Sequence, residues 1–202
     1  MMEMDGAPGH DKRRARRYSL LIRPAKLVSE QGEFVCVLRD VSANGVSAKL
    51  FHRLPSCERF TLELQNGQTY AMRRVWEREL EVGFEFIGTV DVSQLVVEIG
   101  AFPKRGLRLS LKFPITVMAS LVRTTAMVEN ISQQGARFEC LELLAIDQNL
   151  RLEGRGLRET RAKVRWRRGE HYGVVFDDTF SLRDFALLAA RLQAPGLLTS
   201  DG

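Results

Sequence analysis

The chain has 202 residues, 45% of them hydrophobic, which is enough for one large domain or for two of about 100 residues each. Thirty Lys and Arg face 25 Asp and Glu, a net charge of +5, and five of those positive charges lie in Lys12-Arg13-Arg14-Ala15-Arg16-Arg17, so the rest of the chain balances. No apolar run approaches the ~18 residues that cross a bilayer, the start has no apolar core for a secretory signal, and Cys36, Cys57 and Cys140 form no CxxC, so the expectation is a soluble, cytoplasmic protein with reduced thiols buried as packing residues.

Residues 1–11 are small, polar and without periodicity, and are expected to be a disordered tail leading to the basic run. From Tyr18 to Val28 β-formers are broken by Pro24, which suits an irregular or edge strand. Phe34 to Leu38 is a continuous apolar run and reads as a buried strand, ending at the turn-rich Asp40-Val41-Ser42-Ala43-Asn44-Gly45. Val46, Ala48 and Leu50 then alternate with Ser47 and Lys49, and Phe60, Leu62 and Leu64 with Thr61 and Glu63. Asn66-Gly67 is a second hairpin turn, followed by a strand through Tyr70 to Trp76 and another in which Leu80, Val82, Phe84 and Phe86 alternate with Glu81, Gly83 and Glu85. About six short strands joined by hairpins predict a small antiparallel barrel or sandwich. Asp91-Val92-Ser93 predicts the start of a short helix toward Ile99, before Gly100 and Pro103 break the chain.

The second half repeats the first. Trp76 and Gly83-Phe84-Glu85-Phe86 return as Trp166 and Gly173-Val174-Val175-Phe176, 90 positions later. Asp40-x-Ser42-x-x-Gly45 returns as Asn130-x-Ser132-x-x-Gly135 at the same offset, and Arg13-Arg14-x-x-Arg17 as Lys104-Arg105-x-x-Arg108 at 91. A near-constant offset across three motifs indicates a duplicated domain with its junction around residues 98–103. The domains therefore read as 12–99 and 104–194. Ser181 is placed to cap a closing helix with Leu182, Phe185, Leu188, Ala189 and Leu192 on one face, sealing the second barrel, and residues 195–202 are expected to fray.

Two kinds of residue recur. Trp76 and Trp166, Phe86 and Phe176, Gly83 and Gly173 lie in predicted strands and read as core and close-packing positions. The Arg-x-x-x-Arg and Asp-x-Ser-x-x-Gly sets have no evident core role. Asp40 and Ser42, two apart on an extended segment, face the same way, and Gly45 permits a tight turn or a close approach. A carboxylate accepts from the N1–H and N2–H₂ donors of a guanine edge, and guanidinium groups reach guanine O6 and N7 or phosphate. The same Asp and Ser could equally organise a turn before Asn44-Gly45.

The Arg-x-x-x-Arg before the first strand and the Asp/Asn-x-Ser-x-x-Gly about two dozen residues later resemble the PilZ domain family, and the resemblance covers both halves, essentially residues 12–192. It implies an all-β fold of two tandem six-stranded antiparallel barrels, with the closing helix on the second. It also implies binding of cyclic di-GMP, a bacterial second messenger, with no other cofactor. Carried onto this sequence, Arg13 and Arg17 are the motif arginines with Arg14 beside them, holding phosphates and stacking on guanine. Asp40 and Ser42 contact a guanine edge, Gly45 shapes the turn, and the basic arm closes over the ligand. The second copy departs from the pattern, because Lys104 replaces the first arginine and keeps the charge without the planar fork. Arg105, Arg108, Asn130, Ser132 and Gly135 still fit, so the second site is expected to be weaker or lost, with that domain retained for homodimerisation or for a partner protein that no motif identifies.

The readings that compete are distinct in kind. An enzyme is disfavoured, since His10, His52 and His171 are scattered without metal-ligand spacing or a nucleophile partner. A nucleic-acid-binding barrel is allowed by the basic arm and the sequence pI of 9.4, but single-strand binders interleave basic and aromatic residues over a sheet face, and here the strand aromatics fall at core parity. A ligand-independent scaffold is suggested by the second copy and opposed by the first.

Overall fold

The computed structural model describes residues 18–97 and 106–198. The expected disordered tail, the basic run and the interdomain junction lie outside them.

The first half forms β1 (Tyr18–Ser29), β2 (Gly32–Ser42), β3 (Gly45–Lys49), β4 (Arg59–Glu63), β5 (Thr69–Arg78) and β6 (Glu81–Phe86), then helix α1 (Val92–Val97). These strands close into an antiparallel barrel in the order β1-β2-β3-β6-β5-β4. The alternation read in the sequence is the one that builds its core: Val46, Ala48, Phe60, Leu62, Met72, Val82, Phe84 and Phe86 all point inward and are buried. Strand β1 is irregular, as expected, its register with β2 slipping between Ser19 and Arg23. It spans twelve residues and pairs with β2 along its length, but with β4 only over Lys26–Val28, so Pro24 lies in the stretch that has a neighbour on one side. A proline is tolerated there because no second strand needs its missing N–H. Helix α1 starts where the sequence placed it, with the Asp91 carboxylate accepting from the Ser93 N–H at 2.9 Å and the Ser93 hydroxyl at 2.6 Å.

The second half repeats the barrel with β7 (Arg108–Leu109), β8 (Phe113–Ala119), β9 (Val122–Ser132), β10 (Gly135–Glu139), β11 (Asn149–Gly154), β12 (Leu157–Arg168) and β13 (His171–Phe176). The cycle β8-β9-β10-β13-β12-β11 closes on itself, and β7 adds to the end of β9. Strands β7 and β8 together correspond to β1, whose register slips between Ser19 and Arg23 where the second copy breaks altogether.

Helix α2 (Leu182–Gln193) is capped by Ser181, whose hydroxyl accepts from the Asp184 N–H at 3.1 Å, and it buries Phe185, Leu188 and Ala189 in the second core. Beyond sealing that barrel, it carries the first one. The Gln193 side chain accepts from the Glu33 N–H at 2.8 Å and donates to the Glu33 carbonyl at 2.7 Å, pairing with the backbone of β2 as a strand would. Residues 195–197, expected to fray, make one 3-10 turn whose Leu197 carbonyl accepts from the Arg53 N–H at 2.9 Å. The Glu33 carboxylate bridges Lys26 of the first barrel (3.1 Å) and the Ser110 N–H of the second (2.8 Å). Val35 and Phe51 pack into the second core, so the two halves are bound through apolar as well as polar contacts.

Candidate functional site

Strands β2 and β3 meet in a two-residue turn, Ala43-Asn44, and its flanks carry the candidate set of the first barrel. Asp40 is half-buried on β2 and held in place by two hydroxyls: Ser19 donates to Oδ1 at 2.8 Å, and Ser47 donates to Oδ2 at 3.2 Å. Ser42 donates its hydroxyl proton to the Gly45 carbonyl at 3.3 Å, so the turn uses its donor while the oxygen lone pairs stay able to accept. Gly45 is required by packing and not by an unusual dihedral, since a Cβ there would run into the Phe84 carbonyl of β6. The turn-forming and ligand-facing readings of this motif are thus compatible in one geometry.

Asp40, Ser42, Gly45 and Ser47 line a surface cavity of about 960 Å³, with Val75 and Trp76 from β5 and Glu81, Gly83 and Glu85 from β6 on the other walls. Trp76 is where the structure departs most from the expectation. It is 42% exposed, and its indole lies flat on Gly83 of the neighbouring strand, where no Cβ would fit. A β-bulge between Arg74 and Trp76 turns the indole out of the barrel. Trp166 repeats this at 40% exposure over Gly173, beside a bulge between Val164 and Trp166, whereas Phe86 and Phe176 are core residues as expected. The tryptophans are therefore surface platforms, and Gly83 and Gly173 are the flat ground beneath them. The sequence signal was present: Trp76 is flanked by Arg73, Arg74, Glu77 and Arg78, and Trp166 by Arg165, Arg167 and Arg168.

Arg13, Arg14 and Arg17 lie outside the described residues, as do Lys104 and Arg105. Tyr18, bonded directly to Arg17, opens β1 opposite Val41, and Ser19 is opposite Asp40, so the basic run joins the fold at the rim of this cavity.

In the second barrel, Arg108 pairs in register with Ser132, and its guanidinium donates to the Asn130 side chain at 2.9 Å. Ser132 is buried and donates to the Gly135 carbonyl at 3.2 Å, and Gly135 abuts the Val174 carbonyl as Gly45 abuts that of Phe84. The surroundings differ. Arg137 stands where the first barrel has Ser47, and it is ion-paired with Glu129, the counterpart of Arg39. His171, the counterpart of Glu81, lies 3.3 Å from the same carboxylate through Nδ1. Arg137, Glu129 and His171 thus form one polar cluster in the second barrel, where the first has Ser47, Arg39 and Glu81 around an open cavity.

Elsewhere the titratable groups are structural. Burial pushes the Cys36 thiol up to about 12 and raises that of Cys140, which leaves both protonated packing residues; Cys57 is half-buried. Among the described residues no cluster of three or more His, Cys, Asp or Glu is arranged to hold a metal, and no helix is long and apolar enough to cross a membrane.

A profile of the PilZ domain matches residues 11–99 and again 104–194. The chain belongs to the PilZ domain family, twice over. A search of curated protein sequences found no match. Among solved structures, the chain is similar to the Borreliella burgdorferi PlzA protein in complex with cyclic di-GMP, at 10% identity and a TM-score of 0.35 over 90% of this chain and 95% of that one. It is also similar to the Bacillus subtilis inhibitor of motility, MotI/DgrA, at 15% identity and 0.34 over 84% and 94%. A third, MrkH of K. pneumonia in its apo state, shares 12% identity at 0.35 over 86% and 87%.

Proposed function

We propose that this protein is a receptor for cyclic di-GMP, binding it at the first PilZ domain through the cavity beside the β2–β3 turn. The observation that carries the reading is the meeting of complementary groups at that cavity. Asp40 is fixed by two hydroxyls and Ser42 keeps free lone pairs, so both accept from the N–H donors of a guanine edge. Trp76 offers an exposed aromatic face beside them. The cavity walls hold one cation, Arg39, against Asp40, Glu81 and Glu85, so further positive charge to balance two phosphates has to come from elsewhere. The run carrying Arg13, Arg14 and Arg17 joins the chain at Tyr18, on the rim, and planar guanidinium groups can both pair with phosphate and stack on guanine. Closing that arm over the ligand would couple occupancy to the surface around β1 and β2, the second of which α2 grips. The protein acts in this reading as a binding effector with no catalytic residue of its own.

Calorimetric titration with cyclic di-GMP tests it. Wild type is expected to bind, and Arg17→Ala to weaken binding about 10- to 1,000-fold, the loss of a stacked, charge-assisted contact. Arg108→Ala, at the filled second motif, is expected to change affinity by less than about 3-fold. No heat with wild type overturns the proposal, and a larger loss with Arg108→Ala than with Arg17→Ala reverses the assignment of the two domains.

A further inference from the structure

The basic excess of this protein is not confined to its arm. Residues 18–97 hold 9 Lys and Arg against 10 Asp and Glu, while residues 106–194 hold 14 against 10. The excess lies largely on one strand: β12 carries Arg158, Arg161, Lys163, Arg165, Arg167 and Arg168 against Glu159 alone. Thr160, Ala162 and Val164 point into the core, so Arg161, Lys163 and Arg165 share the outer face and lead to the exposed indole of Trp166. Among the described residues Arg161, Lys163 and Arg168 have no carboxylate partner, and Arg165 has an exposed one, Asp147 at 3.1 Å, of the kind solvent and salt readily loosen.

The repeat shows that this charge does not come from the shared fold. Arg161, Arg165, Arg167 and His171 stand where the first barrel has Ala71, Val75, Glu77 and Glu81, and Val175 stands for Glu85. Around an identical tryptophan-on-glycine platform, each of these changes adds positive charge or removes negative charge. The first barrel surrounds its platform with carboxylates and ion-pairs Arg73 and Arg74 to Glu85 and Glu77. The second surrounds its own with cations built into the sheet.

We infer that the outer face of β12, from Arg161 to Arg168 and centred on Trp166, binds single-stranded nucleic acid. A row of cations along an extended strand tracks a phosphodiester backbone, and an exposed indole accepts a base by stacking, which is the combination sequence-tolerant single-strand binders use. The row spans about 23 Å at ~3.3 Å per residue, a length that several linked nucleotides fill and one cyclic dinucleotide does not. Nucleic acid was disfavoured in the sequence because its aromatics fell at core parity, and the bulge that turns Trp166 outward removes that objection.

Fluorescence anisotropy of a labelled thymidine strand of about 15 nucleotides, with full-length protein, tests the inference. Wild type is expected to bind more tightly as the strand lengthens from two nucleotides, with an affinity that falls steeply between about 50 and 200 mM salt. Trp166→Ala is expected to weaken binding about 10-fold, and Arg161→Ala/Lys163→Ala/Arg165→Ala to weaken it further and to lower the salt slope by about 2, at ~0.7 per lost phosphate contact. Both variants should still give the heat of cyclic di-GMP binding, which separates a failure here from a failure of the receptor reading. Arg13→Ala/Arg17→Ala should keep strand binding within about 3-fold, because the arm belongs to the other site. The inference is overturned if the arm variant abolishes strand binding while the β12 variants retain it, if a dinucleotide binds as well as the longer strand, or if wild type binds phosphatidylglycerol vesicles in place of the strand.

Discussion

The two barrels share a platform and differ in what stands around it. Each lays a tryptophan across a glycine on the next strand, and each turns Ser42 or Ser132 onto the carbonyl of its own Gly45 or Gly135. In the first barrel Ser47 is short and the motif opens into a cavity whose charged walls are Arg39, Asp40, Glu81 and Glu85. In the second, Arg137 stands in place of Ser47 and ion-pairs with Glu129, and the cations lie on β12. What duplication preserved is the geometry that the fold needs; what it released is the charge and size of outward side chains, which can change without moving a strand. A recurring motif therefore locates a site without saying what fills it.

The strongest way to break this comparison is to install the second barrel's plug in the first. Ser47→Arg with Arg39→Glu places the Arg137–Glu129 pair beside Asp40, and it is expected to lower cyclic di-GMP affinity at least about 100-fold in calorimetry, since Asp40 loses a hydroxyl partner and the cavity loses its opening. Unchanged affinity would mean the ligand does not use this cavity. A smaller effect is expected at the joint between the halves. Gln193→Ala removes the side chain that pairs with both backbone groups of Glu33, at about 1–3 kcal/mol. Denaturant unfolding should then split into two transitions, with the first barrel losing its tie to α2. A single unshifted transition would show that Val35 and Phe51 hold the halves together without it.

Much of this was legible in the sequence, for a physical reason: alternation, hairpin glycines and the Ser181 cap are local signals, and a 90-residue repeat states them twice. The inward sets at Val46-Ala48, Phe60-Leu62 and Val82-Phe84-Phe86 needed only a period of two. The tryptophans were misplaced because one bulged residue inverts the parity of everything after it, and nothing in the spacing of Tyr70, Met72, Arg74 and Trp76 marks the extra residue. Pro24 marks the irregular, one-sided stretch of β1, but barrel closure through the three residues that pair with β4 has no local signal. The grip of α2 on β2 is a contact across 160 positions and leaves no local trace. The Arg137 plug was readable by aligning the repeats at Ser47, but motifs draw attention to what recurs and not to what replaces a neighbour.

The smallest predicted difference between the barrels concerns pH. His52 is almost fully buried, its ring 5.0 Å from that of Phe34, with Nδ1 against the Arg53 carbonyl at 2.7 Å. Its counterpart in the repeat, Glu142, is exposed, whereas beside His52 the Arg53 N–H donates to the Leu197 carbonyl of the 3-10 turn. Burial lowers the imidazole's pKa below the ordinary value of 6.5, with the Arg53 carbonyl opposing more weakly. The unfolded chain therefore binds a proton below about pH 6.5 that the folded chain refuses until a lower pH, so this group's contribution is full above that value and is lost as pH falls through the window beneath it. The loss cannot exceed about 1.4 kcal/mol per pH unit for one proton. Thermal unfolding from pH 7.5 to 5.5 should show the midpoint falling in wild type and falling less in His52→Asn. If the two proteins lose stability in parallel across that range, the imidazole is not held neutral and the closed end of the first barrel is wetter than its packing indicates.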